Sequence, residues 1–236
     1  WRGICLLFAR APCYRGGQRI APFITPCHES DAACHRTSAQ NVVSVFAAGV
    51  KELGMEPLDP LMLKKVHADQ AGLKMEFRDT VVKGLRNCKV LSLSRRGMKT
   101  NMELQCSPTL LGDYTISGRL LILPVEGHGR YKIKIRDIIV KVSYDMVRRE
   151  QNGVPFWRIS AWEYSSTVKT GAEFHFQNLF NGNKQLSDTV HQFANSSWKE
   201  IFDEVAPPIV KAIVAKIVGE IRKLFDKVPI HELALD

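Results

Sequence analysis

A chain of 236 residues, 45% of them hydrophobic, is long enough for one large domain or two small ones and can fill a sizeable core, so disorder over most of its length is not expected. The formal charge of +9 at pH 7 owes four units to Arg2, Arg10, Arg15 and Arg19; the rest is spread along alternating positions rather than massed with aromatics, which argues against a nucleic-acid groove. No window reaches the run of about 18 apolar residues that a membrane helix needs, because the greasiest stretch, VAPPIVKAIVAKIVGEIRKLF, is broken by Pro207-Pro208, Lys211 and Lys216.

Residues 1–26 differ from all that follow: four arginines, no acid and a short apolar run from Ile4 to Ala9. They read as a signal remnant or a disordered segment, with truncation or an imperfect gene model as alternatives, and residues 27–236 read as a single domain. Six cysteines stand at 5, 13, 27, 34, 88 and 106, with no C-x-x-C pair and no histidine at ligand spacing, so no zinc site, other metal or cofactor is expected. Cys27 and Cys34 bracket CHESDAAC, a loop short enough to close locally, which suggests a disulfide and an oxidising compartment. For Cys88 and Cys106, a hairpin turning at Ser94-Arg95-Arg96-Gly97 pairs Leu93 with Met98 and sets Cys88 opposite Glu103, so both are expected to be buried free thiols.

The first helix is predicted within ESDAACHRTSAQNVVSVFAAGVKELG, capped by Ser30 or Asp31, with Val42, Phe46, Val50 and Leu53 on one face and Gly54 as its stop. Pro57 and Pro60 end helicity. From about Leu73 to Phe176 the apolar period becomes two, the mark of half-buried strands. Met98, Thr100, Met102, Leu104 and Cys106 alternate with polar residues. DYTISGRLLILPVEGHGRYKIKI reads as two strands joined at Glu126-Gly127-His128-Gly129. Beyond it Tyr131, Ile133 and Ile135 share one face, and then the apolar set shifts to Ile138, Val140, Val142, Tyr144 and Met146. A bulge or sharp bend near Arg136-Asp137 is the simplest cause of this change from odd to even positions, and it implies a long, strongly curved sheet. Asn152-Gly153 is a further turn, FWRISAWEYSS a strand, and TGAEFHFQNLF another, with Phe174 and Phe176 in phase.

The chain closes in helix. Ser197 and Glu200 form a candidate capping box, Asn195-Ser196-Ser197 is a glycosylation sequon, and Pro207-Pro208 should restart the helix. From Ile209 on, a broad apolar sector through Val214, Ile217 and Ile221 is joined by a strip of small residues, Ala212, Ala215 and Gly219, suited to close backbone approach. So wide an apolar surface fits a helix partly wrapped by a sheet, with Lys211, Lys216, Glu220, Arg222 and Lys223 on the strips between.

These pieces, in order, resemble one family. PCHESDAAC, KELGMEPLDPL, LLGDYTISGRLLILPVEGHGRYKI, FQNLFNGNKQLSDTVHQFANSSWKEIFDEVAPPI and FDKVPIHELAL are similar to the takeout and juvenile-hormone-binding proteins, secreted insect carriers of hydrophobic ligands, and span residues 26–235. The resemblance implies an α+β tubular lipid-binding fold of super-roll type, in which a curved antiparallel sheet wraps a long C-terminal helix around an apolar tunnel. It implies a Cys27–Cys34 disulfide, secretion into the extracellular space and a monomer. Hormone carriers of this family have a second bridge in the C-terminal half. No cysteine follows Cys106, so the chain is closer to the takeout branch, which puts juvenile hormone itself in question as the ligand.

A carrier needs a water-excluding cavity and a polar group or two, not a nucleophile. The inward-phased candidates for ligand contact are Tyr131, Ile133, Ile135, Val140, Val142, Tyr144, Phe174 and Phe176 on the strands and Val214, Ile217 and Ile221 on the helix, with Phe46 closing one end. Tyr131 and Tyr144 could offer a hydroxyl to a ligand oxygen. No G-x-S-x-G or H-E-x-x-H motif occurs and the seven histidines are scattered, so no enzyme is expected. The alternative is a lipid binder that touches anionic membranes through Lys132, Lys134 and Arg136.

Overall fold

The computed structural model describes residues 19–70 and 72–235. Helix α1 (Ala32–Ala48) starts where its cap predicts, the Asp31 carboxylate accepting the Cys34 amide at 2.9 Å. It ends at Gly49, not Gly54. Gly49 has φ 80°, and a Cβ there would meet Pro57 N at 2.8 Å and Met55 O at 2.9 Å, so the chain folds back on itself at a point only glycine allows. Lys51–Leu53 then forms a single 3₁₀ turn and Val50 pairs with Met55.

Seven antiparallel strands make one sheet: β1 (Leu61–Gln70), β2 (Leu73–Lys83), β3 (Lys89–Arg96), β4 (Lys99–Cys106), β5 (Thr109–Leu120), β6 (Leu123–Gln151) and β7 (Val154–Phe176). The 29-residue β6 is the spine. Along one edge its first half pairs with β5 and its second half with β4, while β7 follows the opposite edge. The predicted bulge is present: register slips between Arg136 and Ile138, where Asp137 takes φ 52°. Buried residues accordingly change from Tyr131, Ile133 and Ile135 to Ile138, Val142, Tyr144 and Met146. The Asp137 carboxylate holds the bend by accepting hydrogen bonds from Gln105 Nε2 at 3.0 Å and Thr170 Oγ1 at 2.6 Å. Those donors lower its pKa, Thr170 foremost.

Three readings of the strands change. The hairpin turn between β5 and β6 is Leu121-Ile122, with Leu120 opposite Leu123, so Glu126-Gly127-His128-Gly129 lies inside β6. Glycine is needed there for space, since a Cβ on Gly127 would sit 2.9 Å from Leu179 Cα and 3.0 Å from the Tyr114 hydroxyl. FWRISAWEYSS and TGAEFHF belong to one continuous strand, β7, which ends at Phe176. The β3–β4 turn is Gly97-Met98, with Arg96 opposite Lys99, and a bulge follows between Val90 and Ser92. That register pairs Lys89 with Gln105 and brings Cys88 to Cys106, which are joined in a disulfide with Cα atoms 4.5 Å apart. They are therefore not free thiols. Placing the turn two residues too early displaced the whole ladder.

Four helices follow: α2 (Lys184–Ser196), α3 (Trp198–Val205), α4 (Pro207–Lys227) and α5 (Ile230–Leu233). Sequence reasoning missed α2, although the Asn183 side chain caps it and Val190, Phe193 and Ala194 line its inner face. The Ser197 capping box does not form, because the Ser197 amide still donates to Phe193 O and its backbone, φ −103° and ψ 35°, is not the extended conformation of an N-cap. Pro207 restarts the helix as predicted. The small-residue strip of α4 meets no close backbone: Ala215 is exposed, and nothing lies within 4 Å of a Cβ placed on Gly219. Glu220, expected among the solvated charges, is 2% exposed. It accepts the Glu56 amide at 2.8 Å and Lys223 Nζ at 2.8 Å, pinning α4 to the segment that follows α1.

Candidate ligand cavity

The sheet, α1 and α4 enclose an apolar cavity of about 290 Å³. Its walls follow from the two periodicities. On α4, Val210, Ile213, Val214, Ile217, Val218 and Ile221 all line it, the valines buried and the isoleucines half-buried. Beyond the Asp137 bulge, Ile138, Val140, Val142, Tyr144 and Met146 of β6 present the opposite wall. Trp157 and Ile159 of β7 and Phe225 of α4 close one side, with Trp157 packed edge-to-face on Phe225 at 6.1 Å.

Helix α1 covers the remaining side through Val42, Val43, Phe46 and Ala47. It is fastened to the edge strand β3 by Gln40, whose side chain donates to Cys88 O at 3.1 Å and accepts from Val90 N at 2.8 Å, as a neighbouring strand would. Cys27 of the Cys27–Cys34 disulfide and both cysteines of the Cys88–Cys106 disulfide line the cavity as well. The C-terminal tail returns here as well, with Leu235 N donating to Cys27 O and Leu233 in the lining.

Of the candidates proposed from sequence, Phe46, Ile135, Val140, Val142, Tyr144, Val214, Ile217 and Ile221 come together around this cavity. Tyr131, Ile133, Phe174 and Phe176 do not. Phe174 and Phe176 face a separate void of about 20 Å³ beneath α2 and α3. Tyr131 is packed between Phe77 and Phe176, its hydroxyl 2.7 Å from Thr80 Oγ1. Burial raises the Tyr131 pKa to about 12. The first half of β6 is thus plugged by aromatics and helices, while the second half is left hollow. Both halves have the same alternation, so no sequence period separates them.

Tyr144 is the polar candidate that reaches the cavity. It is directly opposite Thr100, and burial raises its pKa to about 12, so it remains a neutral phenol. Arg95 and Trp157 also line the cavity and were not anticipated. Thr100 was visible in the alternation of β4, but Arg95 emerges only once the Gly97-Met98 turn sets it opposite Thr100. On the outer face, Lys134 and Arg136 both approach Glu173 of β7. Asn195 is exposed, yet its amide bridges the Phe174 backbone, accepting from N at 2.8 Å and donating to O at 3.1 Å. Cys5 and Cys13, like the rest of the predicted N-terminal segment up to residue 18, lie outside the described residues.

Residues 4–235 match the family described as haemolymph juvenile hormone binding protein. Among solved structures, the chain is similar to takeout 1 of Epiphyas postvittana: 31% identity and a TM-score of 0.87, over 89% of this chain and 99% of that one. A circadian clock-controlled protein of Drosophila melanogaster, daywake, is 26% identical over 87% of this chain and 85% of its own. A juvenile hormone-binding protein of Manduca sexta is 31% identical over a shorter stretch, 28% of this chain and 30% of its own.

Proposed function

The chain belongs to the haemolymph juvenile hormone binding protein family, and from that premise we propose that it is a secreted carrier that holds a small hydrophobic ligand in the cavity between α1, α4 and the second half of β6. The observation that carries the reading is the cavity itself. An apolar space of about 150 Å³ already takes a benzene ring, so 290 Å³ accommodates on the order of a dozen carbon atoms. Burying roughly 400 Å² of such a ligand at about 25 cal/mol per Å² yields on the order of 10 kcal/mol before the costs of association, enough for micromolar affinity or better. Phe46, Ile135, Val140, Val142, Tyr144, Val214, Ile217 and Ile221 are the proposed contacts, and water exclusion rather than chemistry is their task.

Two disulfides among the described residues support an extracellular setting. Asn195 is a glycosylation site on this reading, with one amide hydrogen kept for Phe174 O. A mobility shift on removal of N-linked glycans tests that point. Native mass spectrometry and lipid extraction of protein purified from its own source test the carrier reading. A bound lipid released on denaturation is expected. Protein that is empty at source, and that takes up neither methyl dodecanoate nor dodecanol, would refute it.

A further inference from the structure

The polar groups of the cavity are not scattered. Arg95 of β3 is directly opposite Thr100 of β4, and Thr100 is directly opposite Tyr144 of β6. Three successive strands thus present a guanidinium, a hydroxyl and a phenol in one row, and all three side chains line the cavity. They are buried, at 8%, 4% and 9% exposure. Arg95 is the only Asp, Glu, Lys or Arg in the lining among the described residues. Other polar lining groups are turned onto the backbone: Ser38 Oγ accepts Thr25 N and donates to Thr25 O, and His35 Nε2 is 2.9 Å from His28 O.

Burying a guanidinium beside an aliphatic cavity is costly unless it is paired. Its contacts include the Trp157 ring, over which its Cζ lies at 5.2 Å, and Glu29, whose Oε2 is 3.6 Å from Nη1. Glu29 belongs to the Cys27–Cys34 loop and is anchored by the Gly97 amide at 2.7 Å. We propose that the row Arg95, Thr100 and Tyr144 is a headgroup subsite that gives the cavity a preference for long-chain carboxylic acids over their neutral esters and alcohols. The arginine fork matches a carboxylate, with which it forms short, charge-assisted hydrogen bonds, and Tyr144 reinforces the same end. Glu29, 39% exposed, shares the guanidinium with the bound carboxylate. The chain of the acid then runs along Ile217 and Ile221 of α4.

This inference rests on the carrier reading of the same cavity, and the test separates them. Full-length, oxidised protein is titrated with dodecanoic acid, methyl dodecanoate and dodecanol at neutral pH, by displacement of an environment-sensitive naphthylamine dye. The acid is expected to bind about tenfold or more tightly than the ester, the gain of a hydrogen bond to a charged partner. Arg95→Met is expected to abolish the preference while retaining ester binding, which also reports an intact fold, and Arg95→Lys to keep part of it. Equal binding of acid and ester by the natural chain, or an unchanged ratio in Arg95→Met, overturns the headgroup subsite and leaves the carrier standing. Failure of all three probes to bind overturns both.

Discussion

Ile217→Trp separates a residue facing a hollow from one packed in a core. In a filled interior, enlarging an aliphatic side chain costs typically 1–3 kcal/mol through clashes and shifted backbone. Ile217 is half-buried on α4 and faces a cavity of about 290 Å³, so the indole has room. Filling roughly 60 Å³ at about 24 cal/mol per Å³ of cavity gains about 1.5 kcal/mol, which raises the melting temperature by roughly 3–6 °C in a domain of this size. The same volume is denied to the ligand. At about 30 Å³ per water-sized group, two methylenes are displaced, so the preferred chain length of a bound ester falls by about two carbons. Each lost methylene is worth about 0.8 kcal/mol, so an ester that filled the natural cavity binds about tenfold more weakly. Thermal melts of ligand-free protein and a binding series of methyl esters of increasing length measure the two effects together. A variant less stable by 2 kcal/mol, or one with an unshifted length optimum, would refute the assignment of Ile217 to the cavity wall.

Replacing both Cys88 and Cys106 by alanine opens a loop of sequence separation 18 and should cost about 3 kcal/mol in urea unfolding under non-reducing conditions; a loss below 1 kcal/mol would mean that the bridge does not constrain the unfolded chain. Tyr131→Phe leaves the buried Thr80 hydroxyl without its partner and should cost about 1–3 kcal/mol while ligand affinity stays unchanged, because Tyr131 lies outside the cavity. Any change in ester affinity on making Tyr131→Phe would contradict that placement. Asp137 has a lowered pKa in the folded protein, so its contribution is complete above the unfolded carboxylate value of about 3.9 and is lost as pH falls through the folded value. The acid-side decline in melting temperature should therefore be shallower in Asp137→Asn than in the natural chain, and parallel curves would count against the Thr170 and Gln105 contacts.

Local chemistry was legible wherever one short segment determined the outcome. The alternation of Tyr131, Ile133 and Ile135 with lysines, and its change of phase after Arg136, located the irregularity in β6 without coordinates, because with a period of two one extra residue reverses every later side chain. Asp31 as a cap, Asn152-Gly153 as a turn, Pro207 as a restart and the short loop from Cys27 to Cys34 were readable for the same reason. Register was not. Gly97-Met98 and Ser94-Arg95-Arg96-Gly97 are both acceptable turns on local grounds, yet one makes a disulfide of Cys88 and Cys106 and the other two free thiols.

The wide apolar sector of α4, the curved sheet and the absence of a catalytic motif followed from the residues themselves, because helical and strand periods record which faces are hidden from water. They do not record what hides them. Tyr131 and Tyr144 both face inward, are buried and have elevated pKa values, but Phe77, Phe176 and Thr80 surround the first, and open space adjoins the second. Gly219 looked like a contact and faces nothing, whereas Glu220 beside it looked solvated and is buried. The placement of Arg95 across from Thr100 and over Trp157 brings together residues from three strands. Contacts between segments far apart in sequence depend on how side chains fill a shared volume, and that was decided only when the sheet closed around α4.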